Sequence, residues 1–187
     1  MIGGYGRRYR CGSGPGPVVT DLGEPGFLAG LAGQLQVVMA YEAARALAWE
    51  HSRHSGSLSD GLRQLLDQGR AVDPAEYDAT LARRAAALAR IDELFAGHDA
   101  VLTPAVVGEA PEGLGATGDP RCARLWSLLG LPSVSLPGAV GSTGLPIGVQ
   151  LIGRPGRDAE LLAITAWLAE FGVAPRAVPC EPARQAI

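Results

Sequence analysis

The chain contains no lysine: all 16 of its basic residues are arginine. Arginine keeps its proton at any ordinary pH, so a mechanism that runs through a deprotonated lysine has no candidate among these 187 residues. Cysteine is nearly as scarce. Cys11, Cys122 and Cys180 are odd in number and widely spaced, which fits free thiols in a reducing cytoplasm better than a disulfide framework. No apolar run approaches the length that spans a bilayer, and Arg7, Arg8 and Arg10 are not followed by the apolar core of a secretory signal. An excess of one charge is also missing. The net charge is -3 and the arginines are scattered, so there is no footprint for nucleic acid. What remains, 47% hydrophobic and 19% charged residues, is ordinary for a soluble globular chain with one sizeable core.

Glycine and proline, by contrast, are plentiful and punctuate the chain. Residues 1–25 read as an irregular or disordered start, because Gly3-Gly4 and Gly12-Ser-Gly-Pro-Gly-Pro17 break every period. From Phe27 to His51, Leu28, Leu31, Leu35, Met39, Ala43, Ala46 and Leu47 recur at helical spacing and are expected on one inward face. A shorter helix follows, capped by Ser57 or Ser59, with Leu62, Leu65 and Leu66 inward and Gly69 as its stop. Asp73-Pro-Ala-Glu76 is a helix start: Asp73 caps, Pro74 takes the first position and Glu76 completes a capping box. Tyr77, Leu81, Ala85, Leu88, Asp92 and Phe95 then share a face, with Ile91 and Leu94 beside it. His98 to Pro104 reads as a short strand, and Ala105 to Pro120 as a loop too long for a simple connector, expected to line something.

The most ordered stretch comes next. Leu125, Leu128 and Leu129 have helical spacing, and Gly130 with Pro132 stops that helix. Ser133-Val-Ser-Leu136 alternates as a half-buried strand closed by Pro137 and Gly138. In Ile147-Gly-Val-Gln-Leu-Ile152, Gly148, Gln150 and Ile152 share one face, and Gly148 leaves room for another backbone. Asp158 is expected to cap a last helix with Leu161, Ile164, Leu168 and Phe171 inward and Gly172 at its end, before an irregular tail over 173–187. The order is α/β, but three strands are few for a complete sheet, as expected of a truncated domain.

Asp99-Ala-Val-Leu-Thr-Pro104, Ala116-Thr-Gly-Asp-Pro120, Trp126 to Pro137, Gly144 to Gly153 and Asp158-Ala-Glu-Leu-Leu162 together resemble the carboxy-terminal part of amidase signature enzymes. Tyr41-Glu-Ala-Ala-Arg45, Trp49-Glu-His51 and Tyr77 extend the resemblance upstream, so that it covers residues 26–172. It implies a mixed sheet flanked by helices, apparently truncated at the N-terminal side. It also implies hydrolysis of the carbon–nitrogen bond in small carboxamides, without a cofactor. The family's serine nucleophile is served by a second serine that relays its proton to a lysine, and backbone N–H groups of a Gly/Ser-rich loop hold the oxyanion. That loop and that lysine have no counterpart here, since Cys11-Gly-Ser-Gly14 imitates the loop poorly. No catalytic residue is therefore assigned, and the chain is expected to be inactive alone. The alternative is a non-catalytic binding or assembly module, which self-associates or pairs through an open sheet edge with a separate catalytic half or an amidotransferase-like partner.

By position in the resemblance, Thr117, Asp119 and Trp126 would form a wall of the substrate pocket. The residues themselves leave a second reading open, in which Asp119 caps the helix after Pro120 and Trp126 is core. The family often has an asparagine shortly before that tryptophan, where this chain has Ala123-Arg124-Leu125. His51 and His54 lack further residues at ligand spacing, so no metal site is expected. Cys122 stands beside Arg121 and Arg124, whose charges would favour a thiolate, but no base accompanies it. Ser133 and Ser135 are read as strand packing, and Glu42 and Glu50 as a solvated face.

Overall fold

The computed structural model describes residues 7–10, 16–23 and 25–170. Gly144, at φ 89°, lets the chain turn from β4 (Ser133–Val140) into β5 (Pro146–Ile152) as an antiparallel hairpin. β3 (Ala100–Pro104) pairs with the other side of β5, so β3 and β4 are parallel to each other with β5 between them. The crossover that joins them carries α6 (Arg121–Leu129). β1 (Arg7–Arg10) adds to β3, and β2 (Val18–Asp21) adds to β1, giving the order β2-β1-β3-β5-β4.

Two expectations change here. Among the described residues all four pairings are antiparallel, not mixed, because β1 stands between β2 and β3, and β5 between β3 and β4, so neither crossover pair is adjacent. Two strands also lie within residues 1–25, which were expected to be irregular. β2 is exposed along its whole length and is held through its backbone rather than by a buried face, so no alternation marks it.

Both faces of the sheet are covered where β3 and β5 lie. Val101 and Ile152 pack against Leu125, Trp126, Leu128 and Leu129 of α6, together with Leu28, Leu94 and Phe95. On the opposite face Ala100 and Leu151 meet Leu161, Ile164 and Leu168 of α7 (Asp158–Glu170), with Val134 and Leu136 beside them. Burying a side chain of this size contributes about 1.5–3 kcal/mol, so these two clusters carry the sheet. Asp158 lies in the first turn of α7 itself rather than before it, where its charge still suits the positive end of the helix dipole. Phe171, Gly172 and the tail lie outside the described residues.

Proline and glycine account for most boundary differences. Pro137 does not close β4, which runs to Val140 with a bulge at Gly138. The Gly148 carbonyl turns toward Ala105 and away from β4, so Pro137, paired with Gly148, directs its nitrogen to the open edge and costs no ladder bond. The predicted helix over 27–51 is divided into 3-10 turns at Gly26–Leu28 and Leu31–Gln34, then α1 (Leu35–Ala46) and α2 (Ala48–His54). Gly30, at φ 74°, makes the first break. Gly130 behaves as expected: at φ 68° it ends α6, with Leu131 N–H donating to the Trp126 carbonyl.

The helical faces are rotated from the sequence expectation. Ala40 and Ala44 are buried in α1, whereas Met39 is exposed. In α4 (Pro74–Leu88) and α5 (Ile91–Leu94), Thr80, Ala87 and Ile91 point inward while Ala85 and Asp92 face water. Ser59 and Asp73 do cap α3 (Asp60–Ala71) and α4, accepting from Leu62 N–H at 3.3 Å and Ala75 N–H at 2.8 Å. Gly69 does not stop α3 but lies inside it, against α1. A Cβ there would overlap the Ala40 carbonyl and sit 2.8 Å from the Ala44 Cβ. Small residues on both helices therefore set their approach.

This contact makes a paired prediction. Gly69→Ala forces two helix backbones apart and should lower stability by about 1–3 kcal/mol. Gly61→Ala, in the same helix with open space around it, should raise stability by about 0.5–1 kcal/mol. Urea midpoints of the two variants and the parent chain measure both; a Gly69→Ala midpoint at or above the parent's would remove the close-packing argument.

Candidate functional site

The site is built on the α6-facing side of β5. Gln150 is 6% exposed, and its Nε2 donates to the Pro104 carbonyl at 3.0 Å and the Cys122 carbonyl at 2.8 Å. One side chain thus ties the end of β3 to the first turn of α6, and both ends of the loop between them are held. Two residues along the strand, Gly148 accepts the Ala105 N–H at 3.0 Å. A Cβ at Gly148 would stand 3.2 Å from both the Ala105 Cβ and the Ser135 Oγ. The backbone that the sequence expected to approach this glycine is therefore the start of the 105–120 loop.

A cavity of about 770 Å³ lies over this floor. The 105–111 loop, Thr117 to Asp119, β4 from Ser135 onward and the hairpin turn enclose it. Of the three residues expected on a pocket wall, Thr117 and Asp119 line the cavity and Trp126 does not. Trp126 is 4% exposed and packs with Leu125 and Leu129 in the core, as its second reading had it. Asp119 does two things in the structure. It borders the cavity, and it also accepts the Arg121 N–H at 2.9 Å and Nε at 2.6 Å just before α6. Those hydrogen bonds, with the Arg121 charge, hold its carboxyl below the usual range.

Glu109 was not anticipated. It reaches from the loop into the β4–β5 turn, where Oε1 accepts from Thr143 Oγ1 at 2.8 Å, Thr143 N–H at 2.9 Å and Leu145 N–H at 3.1 Å. Oε2 takes a longer bond from Ser142 Oγ at 3.4 Å. The Thr143 hydroxyl, then the backbone donors, hold this carboxyl below its ordinary value against the opposing effect of burial. Gly141 lies beneath it, where a Cβ would overlap the Glu109 side chain as it is placed. No spacing rule marks Glu109, because its partners lie more than thirty residues away. The signals of the cavity that the sequence carried were the length of the 105–120 loop, the missing side chain at Gly148, and the resemblance that placed Thr117 and Asp119.

The other candidates lie apart from this arrangement. Burial pushes the Cys122 thiol up, and Asp119 adds to the shift while Arg121 opposes it, so the thiolate is disfavoured. His51 Nε2 is 3.4 Å from Asp67, and His54 tilts against Trp49 with rings 4.7 Å apart. Glu42 accepts the Tyr77 hydroxyl at 2.8 Å. Ser135, expected only to pack, lines the cavity; Ser133 and Glu50 do not. Cys11 and Cys180 lie outside the described residues.

The Glu109 tie predicts a pH response. A carboxyl depressed in the folded state contributes stability above its unfolded value of about 4.3, and loses it as pH falls through the lower folded value. The Thr143 and Leu145 amides should therefore lose hydrogen-exchange protection together in acid, earlier than the β5 amides. Glu109→Gln should make that protection low and independent of pH. Equal acid sensitivity in parent and variant would contradict the tie.

Comparison with known proteins places this geometry in a family. The family model described as Amidase matches residues 34–162. A glutamyl-tRNA(Gln) amidotransferase subunit of Roseobacter denitrificans is 35% identical over 128 residues, covering 61% of this chain and 26% of the relative. The same subunit of a Jannaschia species is 37% identical over 126 residues. The chain spans about a quarter of the length of the curated relatives it matches. A crystal structure of an amidase superposes with a TM-score of 0.70 at 29% identity, covering 77% of this chain and 36% of that one. A bacterial aryl acylamidase of the amidase signature family shares the fold, with a TM-score of 0.59 at 22% identity. Among the described residues no helix is long and apolar enough to cross a membrane. The chain belongs to the amidase signature family.

Proposed function

We propose that these residues form the substrate-facing, carboxy-terminal part of an amidase that hydrolyses the carbon–nitrogen bond of small carboxamides in the cytoplasm. The serine nucleophile, the relay serine and the lysine base come from residues outside these 187. The observation that carries this reading is a pairing of presence and absence. The motif stretches of the family enclose a cavity with Thr117 and Asp119 on its wall, and the same sequence holds no lysine. An amide is a poor electrophile, so walls without an activated nucleophile and a proton acceptor bind but do not cut.

A second reading, an assembly module that pairs with a separate catalytic half or an amidotransferase-like partner, is favoured by the edge of the sheet. β4 is the last strand, with Ser133 and Ser135 in register with β5 residues that turn their backbone toward β3. Their own N–H and C=O groups therefore face outward as a template for another strand. Val140 and Leu145 are exposed beside it, at 53% and 42%.

One experiment tests the first reading and bears on the second. The chain is purified alone and together with a separately expressed amidase segment that carries the Gly/Ser-rich loop, both serines and the lysine. Alone, it should release no ammonia from carboxamides. Together, the pair should co-elute and hydrolyse, and mutation of the segment's lysine should abolish turnover. Hydrolysis by the isolated chain would overturn the first reading; co-elution without hydrolysis would favour the second.

A further inference from the structure

We infer that the cavity accepts an uncharged carboxamide with an apolar aryl or branched-alkyl body and rejects amides that carry a carboxylate. The inference rests on the reading of the cavity as a substrate wall, and it adds the class of substrate. Ala105, Val106, Leu136, Pro137, Val140 and Leu145 give the enclosure an apolar surface. Its volume of about 770 Å³ is within the range of small-molecule sites.

The polar groups decide the charge. No arginine lines the cavity among the described residues, so a ligand carboxylate would find no cation there. The two charges that do line it are both negative, Glu109 and Asp119. Asp119 is already paired with Arg121. Glu109 spends its acceptor capacity on Thr143, Leu145 and Ser142 and offers a ligand nothing unless the hairpin turn opens. Its charge remains, and a second carboxylate brought beside it in the cleft would be repelled by it.

Two neutral groups are left. Thr117 makes no side-chain hydrogen bond among the described residues, and the Ser135 hydroxyl has only a 3.5 Å contact to the Val149 carbonyl. Each hydroxyl can donate and accept, as a neutral carboxamide requires. An apolar body with one amide therefore fits both the surface and the hydrogen-bonding groups, whereas a zwitterion such as glutamine would lose hydration without gaining a partner.

The test is a titration of the full chain, followed through its backbone amide resonances, with benzamide, 4-carbamoylbenzoate, glutamine and toluene. Benzamide should shift the amides of Ala105 to Val107, Ser135 and Leu145. 4-Carbamoylbenzoate, which differs by one carboxylate, should bind at least tenfold more weakly, and glutamine should give no shift. Toluene should bind more weakly than benzamide, and Thr117→Val should remove that difference. Leu145→Glu, at an exposed position, should weaken benzamide at least tenfold while the resonances of the core stay in place. Equal or stronger binding of the carboxylate, equal binding of toluene, or shifts confined to another surface would each overturn the inference. Turnover of a carboxylate-bearing amide by the reconstituted pair would overturn it too, and would leave the amidase reading intact. Selective benzamide binding with no hydrolysis by that pair would instead count against the amidase reading alone.

Discussion

Two hydrogen bonds from one buried amide hold the candidate site in place. Gln150 stands in the middle of β5, and its Nε2 reaches the carbonyls of Pro104 and Cys122 at the two ends of the cavity loop. One carbonyl ends a strand and the other lies in the first turn of a helix, and water is excluded from the Gln150 side chain between them. Replacing it with an apolar residue would take a donor from both, at a cost of about 1–3 kcal/mol. The rest of the site is local by comparison. Gly148 makes the floor by lacking a side chain, and Glu109 pins the free span of the loop to the turn between β4 and β5. The loop is thus held at both ends and at one interior point, which explains how a long segment rich in glycine and proline can enclose a defined volume.

The charged side chains at the cavity have settled partners. Every strongly held ionisable group at the cavity is already engaged: Asp119 by Arg121, and Glu109 by hydroxyl and amide donors that lower its carboxyl. Groups held this way keep their charge at neutral pH and are poor proton carriers, because catalysis of proton transfer works best near the operating pH. Cys122 is displaced in the other direction, toward the unreactive thiol. Among the described residues, the ionisable groups at the cavity are therefore held in settled charge states and are poorly matched to proton transfer near neutral pH.

Legibility in the sequence followed the range of the interactions. Elements fixed by neighbours in sequence were readable: the caps at Ser59 and Asp73, the left-handed stop at Gly130, the alternation of β5 and the helix of α7. Elements fixed by distant partners were not. β2, exposed along its length, rests on backbone pairing, which leaves no side-chain pattern, and β1 is placed by pairing with β2 and with the distant β3. Gly69 looked like a helix stop because nothing local shows that α1 lies against it. Pro137 looked like a strand end because its tolerance depends on β4 being at the edge. The same division applies to the site. Thr117 and Asp119 were reached through motif resemblance, and Gly148 through its missing side chain. Glu109 and Ser135 depend on contacts across the fold.

The edge and the cavity are one piece of architecture. β4 is both the outermost strand and, from Ser135 to Val140, a wall of the enclosure. The bulge at Gly138 lies between those two duties, and a Cβ there would press on Val149 Cγ1 at 2.6 Å. A strand added to β4 would bond to the outward groups of Ser133 and Ser135 and so border the cavity, with no intervening layer. Pairing at the edge would also stiffen the strand whose other end carries the Glu109 tie. The open edge of the sheet and one wall of the cavity are therefore the same strand.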